Sequence, residues 1–78
     1  MSTVKTKTWK GNLSHLMANT QVRLLINSAR KTAREDGYDQ IIYQDEPGSF
    51  AYVRSCLYGT WDYQTEDKII AKIIVEYE

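Results

Sequence analysis

The chain has one cysteine, one proline and one histidine in 78 residues. A lone Cys56 excludes an internal disulfide and fits a reducing compartment. With Cys56 the only thiol and His15 the only imidazole, there is no Cys/His set at metal-ligand spacing. Nothing places His15 beside Cys56 as a nucleophile–base pair either. No Gly-rich phosphate loop is present. No apolar run reaches membrane-spanning length. The opening "MSTVKTKTWKGN" has lysines but no apolar segment behind them, which argues against a secretory leader. Asn12-Leu13-Ser14 matches a glycosylation sequon and, without such a leader, is read as coincidence. These absences point to a small cytoplasmic protein that is not an enzyme and carries no cofactor or metal.

Acidic residues are missing from the whole first part of the chain. Residues 1–34 hold Lys5, Lys7, Lys10, Arg23, Arg30, Lys31 and Arg34 and no carboxylate side chain, a charge of +7. Residues 35–78 hold all ten acidic residues against Arg54, Lys68 and Lys72, a charge of −7, so the net charge is zero. Two explanations stand side by side. The two parts attract each other in the fold, or the basic part faces a polar partner.

What is present is enough for one domain, 1–78, with 42% hydrophobic and 26% charged residues. A chain this short buries roughly 60% of its unfolded surface, so its stability is modest. Thr3 to Trp9 alternates and is rich in β-formers, predicting a strand. Asn12 can cap a short helical turn over Leu13 to Ala18. Asn19 or Thr20 can start the main helix, in which Val22, Leu25, Ile26, Ala29 and Ala33 recur at three- and four-residue spacing. Arg23, Arg30 and Arg34 keep the same spacing on another face, with Lys31 beside them. Asp36-Gly37 ends the helix through a left-handed glycine.

Two β-rich runs then flank Glu46-Pro47-Gly48-Ser49. A four-residue loop there pairs Asp45 with Phe50 and Tyr43 with Tyr52. In that register Tyr43, Phe50, Tyr52, Arg54, Cys56 and Tyr58 share one face, while Ala51, Val53, Ser55 and Leu57 share the other. The segment "WDYQTED" is a loop or continued strand, and Lys68 to Tyr77 is a last strand presenting Ile69, Ala71, Ile73 and Val75 on one face and Ile70, Lys72 and Ile74 on the other. The expected fold is α+β, a two-layer sandwich in the order β-α-β-β-β, with one main helix on one face of an antiparallel sheet. Small Ala51, Val53 and Ala71 would admit the helix closely, leaving the aromatic face uncovered.

That face has three readings. It is half-solvated sheet, to which tyrosine is suited. It stacks on nucleic-acid bases, although the basic-Gly-aromatic signature of the RNA-binding sheets is missing and acids surround it. Or it binds protein through Tyr43, Phe50, Tyr52, Arg54, Tyr58 and Trp61, residue types that dominate interface energies. The partner could be foreign or a second copy of the chain. The basic helix face, Arg23, Arg30, Lys31 and Arg34, is the alternative site, either for an acidic protein surface or for nucleic-acid phosphates.

In size and element order, though in no motif, the chain resembles the small inhibitors that bacteriophages encode against host enzymes or defence complexes, anti-CRISPR proteins among them. The resemblance implies a non-enzymatic protein that blocks a bacterial protein or nucleoprotein complex by occupying its surface, in the host cytoplasm. It carries over no functional residues.

Overall fold

The computed structural model describes residues 2–9, 11–60, 62 and 64–77. The elements are β1 (Ser2–Thr8), α1 (Leu13–Met17), α2 (Thr20–Asp36), β2 (Gln40–Glu46), β3 (Ser49–Arg54) and β4 (Ile69–Tyr77). Two short 3-10 turns, Ser55–Leu57 and Glu66–Lys68, lie between β3 and β4. This is the α+β sandwich that the sequence predicts. The sheet order is β1-β4-β2-β3, and every neighbouring pair is antiparallel. Among the described residues, no helix is long and apolar enough to cross a membrane.

The helices begin and end where local chemistry dictates. The Asn12 side chain accepts from the His15 N–H at 2.8 Å and opens α1, so the asparagine of the sequon is a cap. The Asn19 side chain does the same for α2 through the Val22 N–H. Gly37, at φ 77°, closes α2 in the left-handed conformation.

The face of α2 turned to the sheet is Val22, Ile26, Ala29 and Ala33. It packs on Ile42 of β2 and on Ile70, Ala71 and Ile73 of β4, with Val4, Leu25, Phe50 and Tyr52 at the margins. Ile26, Ile42 and Ile73 are almost wholly buried, and each such side chain stabilises the fold by roughly 1.5–3 kcal/mol. Two hydrogen bonds fix the rotation of the helix about its axis. On one flank an Arg30 guanidinium N–H donates to the Thr6 hydroxyl of β1. On the other, the hydroxyls of Thr32 and Tyr52 of β3 lie 3.2 Å apart.

The faces of β3 are the reverse of those expected. Pro47-Gly48 forms a tight two-residue turn with Ser49 opposite Glu46, and a bulge follows between Gln44 and Glu46. Phe50 therefore pairs with Gln44, Tyr52 with Ile42, and Ala51 with Tyr43. A shift of one residue moves a side chain's cross-strand partner to the opposite face. Phe50 and Tyr52 thus lie on the α2 side, and Ala51 and Val53 point away from it. Of the small sheet residues expected there, Ala71 does face the helix, and Ala29 and Ala33 on the helix take the place of Ala51 and Val53, all three alanines being 0% exposed.

A second bulge lies in β4. Ile42 pairs with Ala71 but Tyr43 pairs with Ile69, so Ile70 is the extra residue. Ile70 joins Ala71 in the core, and Ile69 moves to the far face, against the plain alternation read from the sequence.

These assignments are open to measurement by urea unfolding. Ile26→Ala is expected to lower stability by about 2–5 kcal/mol. Leu24→Ala, on the exposed back of α2, is expected to change it by less than about 0.5 kcal/mol. Tyr52→Ala is expected to cost more than Val53→Ala, and the opposite order would contradict the observed faces of β3.

Candidate functional site

The six residues expected to form one aromatic surface are dispersed. Phe50 and Tyr52 are half-buried against the helix layer. Arg54 ends β3 at the margin of the same side, where its guanidinium lies 3.6 Å from the Asp36 carboxylate and 4.5 Å from the centre of the Tyr38 ring. Tyr43 is buried on the opposite face of the sheet. Tyr58 is not on a strand, and Trp61 lies outside the described residues. Cys56 and Leu57 also fall in the 3-10 turn and not on β3. The strand stops for want of a partner. The Ser55 N–H donates to the Asp39 carbonyl at 2.8 Å, and two residues earlier Gly37 is already the cap of α2.

The face away from α2 is not left open. β3 and β4 are both antiparallel to β2, which lies between them, so the chain from 55 to 68 must return along the sheet. It does so across Tyr43. The Tyr43 and Tyr58 rings meet at 5.2 Å between centres and 57° between planes, a tilted aromatic pair. Ile41, Tyr43 and Ile69 are each only 7% exposed although no helix lies on their side. The connection also closes on itself. The Tyr58 hydroxyl donates to the Thr65 carbonyl, the Gly59 N–H to the side chain of buried Gln64, and the Thr60 hydroxyl to the Leu57 carbonyl. Burial pushes the Tyr58 phenol above its ordinary value of 10.0, and Tyr43 and Asp67 raise it further.

The basic residues are brought together. Arg23, Arg30 and Arg34 are seven and four residues apart, which places them on one flank of α2 at axial intervals of about 10 and 6 Å. The Arg30–Thr6 bond shows that this flank overhangs β1. Lys31 lies next to it on the outer surface. Lys5 and Lys7 project from β1 on the other side of the sheet, with the Lys7 ammonium 5.2 Å from the Trp9 ring centre. The two ion pairs among the described residues are Arg54–Asp36 and Lys72–Asp39, both formed wholly within residues 35–78. No described basic residue of the first 34 pairs with a carboxylate. Among the described residues, the opposite charges of the two parts of the chain therefore form no ion pair with each other. Exposed Asp45 and Glu46 sit at the β2–β3 turn, toward the far edge of the sheet from β1.

Comparison with known protein families, with curated proteins and with solved structures finds no match.

Groups suited to catalysis do not converge. His15 lines a shallow cleft beside Asn19 and Phe50, at the N-terminal end of α2. Cys56 lines another with Gly37 and Tyr38, at its C-terminal end. The helix holds them roughly 25 Å apart. Among the described residues, no three His, Cys, Asp or Glu side chains gather as metal ligands.

The half-buried Tyr58 phenol makes stability depend on pH. Its raised value means that the folded state holds the proton more tightly than the unfolded state. This contribution is complete below the ordinary tyrosine value and is lost as pH rises through the raised one. Urea midpoints are expected to fall as the pH is raised through the ordinary tyrosine value of 10.0 and beyond it. In Tyr58→Phe the fall is expected to be smaller, from a starting stability lowered by about 0.5–1.5 kcal/mol for the lost hydrogen bond to Thr65.

Proposed function

We propose that the chain is a small cytoplasmic binding protein with no catalytic role, and that it docks through the basic flank of α2 on an acidic surface of a larger bacterial protein or nucleoprotein complex. It would act as phage-encoded inhibitors do, anti-CRISPR proteins among them, by covering a surface its target needs. The observation that carries this reading is the cation cluster Arg23, Arg30, Lys31 and Arg34, which no carboxylate of the described residues neutralises. Exposed like charges a turn or two apart on one helix repel each other by a few tenths of a kcal/mol per pair. A complementary acidic surface relieves that repulsion and steers the encounter.

The flank replaces the aromatic sheet face as the preferred site. Phe50 and Tyr52 are engaged with the helix layer, and Tyr43 is covered by Tyr58. Truncating them would disturb the fold as well as any contact.

Nucleic acid is the second reading, favoured by the regular arginine spacing along a flank beside an edge strand that carries lysines. Against it stands a net charge of zero, since nucleic-acid-binding domains usually carry a clear positive excess.

The test is capture of partners from bacterial lysate with the native chain and with Arg23→Glu/Lys31→Glu/Arg34→Glu. The native chain is expected to retain a specific partner that the reversed variant loses while keeping its circular dichroism spectrum. Leu57→Ala, at an exposed position of the β3–β4 connection outside the basic flank, is expected to keep the partner. Retention of the same partner by the reversed variant would refute the assignment to this flank. Gel shifts at low salt separate the two readings. Binding to DNA or RNA that weakens steeply with salt would favour phosphates. No shift would leave the acidic protein surface.

A further inference from the structure

The two edges of the sheet differ in how they are guarded. Along β1, Lys5 and Lys7 project on one face and Arg30 reaches over Thr6 on the other. Edge lysines of this kind keep strands from pairing between molecules. Along β3 the run Ser49-Phe50-Ala51-Tyr52-Val53 has no charge and no proline before Arg54.

The backbone of β3 is also arranged for self-pairing. The Ser55 N–H points inward to Asp39. Antiparallel alternation then turns Val53 and Ala51 inward as well, and turns the N–H and C=O groups of Phe50, Tyr52 and Arg54 outward. No backbone group of the described residues pairs with them from outside.

We propose that β3 pairs antiparallel with β3 of a second copy, about a twofold axis through Tyr52, joining the two four-stranded sheets. The spacing is self-complementary. Tyr52 meets Tyr52 of the partner subunit, and Phe50 meets Arg54 of the partner subunit, giving about six backbone hydrogen bonds. Charge agrees with this register. Arg54 comes beside the end of the other copy's hairpin, which carries exposed Asp45 and Glu46. The equivalent pairing of β1 about Thr6 would set Lys5 against Lys7, a like-charge contact that disfavours it. A head-to-tail contact between β3 and β1 would generate an open chain of molecules and meets the same lysines. The dimer places both basic flanks of α2 at its outer ends on one face, and it stands whatever those flanks bind.

Sedimentation equilibrium of the native chain tests the proposal. The mass is expected to rise from 9.1 kDa toward twice that value between micromolar and near-millimolar concentration. Cross-linking tests the register. In a Cys56→Ser background, Tyr52→Cys puts two thiols across the axis at a Cα separation of about 5.5 Å, within disulfide range. Oxidised glutathione is expected to yield a covalent dimer, whereas Thr6→Cys in the same background is expected to stay monomeric. Arg54→Glu, at an exposed position outside the core, sets acid against acid in both symmetric contacts and is expected to raise the dimer dissociation constant about tenfold. A native chain that stays at 9.1 kDa throughout would overturn the proposal. So would a dimer unaffected by Arg54→Glu, or Thr6→Cys cross-linking as readily as Tyr52→Cys.

Discussion

The contact of Ala29 and Ala33 with Ile42, Ala71 and Ile73 is the constraint on which the remaining structure depends. All five are at or below the reach of solvent, and the helix residues are as small as a side chain with a Cβ can be. Close approach at this point lets one helix cover the two central strands, β4 and β2, while its flanks reach the edge strands on either side. Because the alanines take up little room on the helix, the larger Phe50 and Tyr52 can fill the sheet margin beside it. The rotation that turns the alanines inward also turns Arg23, Arg30 and Arg34 toward β1.

A domain this small with one main helix on its sheet would ordinarily wet the other sheet face. Here the return of the chain from the edge strand β3 to the central position of β4 makes a fourteen-residue connection unavoidable. That connection carries its own ring, Tyr58, onto Tyr43, and its own internal hydrogen bonds. Surface that looks like interface chemistry in the linear sequence is consumed in the fold. The charges behave in the opposite way. The ion pairs between described residues, Arg54–Asp36 and Lys72–Asp39, both lie within residues 35–78 and are partly solvated, where such pairs contribute little, and Arg23, Lys31 and Arg34 of α2 make none among the described residues.

Legibility followed the range of the interaction. The caps at Asn12, Asn19 and Gly37 act over three or four residues and could be read directly, as could the apolar stripe of α2 and the approximate extents of β1 and β4. The basic flank was legible for the same reason, since helical spacing puts Arg23, Arg30 and Arg34 together in any fold that keeps the helix. The aromatic site was not. Its assembly required the β2–β3 register, and that register turns on whether Asp45 is paired or bulged. No residue in "QDEPGS" distinguishes a four-residue loop from a two-residue turn followed by a bulge. The bulge at Ile70 is equally silent, because isoleucine on either side of it suits either face.

The sequence by itself determined the element types, the ends of the helices, the α+β class and the grouping of the helix cations, because each rests on periodicity or on a cap within a single turn. Only the tertiary structure decided which face of β3 is inside, where Tyr43 and Tyr58 meet, and that the described basic residues of the first 34 form no ion pair with the described carboxylates. Those outcomes depend on contacts between residues far apart in the chain. There, one bulged residue exchanges the two faces of a strand at almost no local cost.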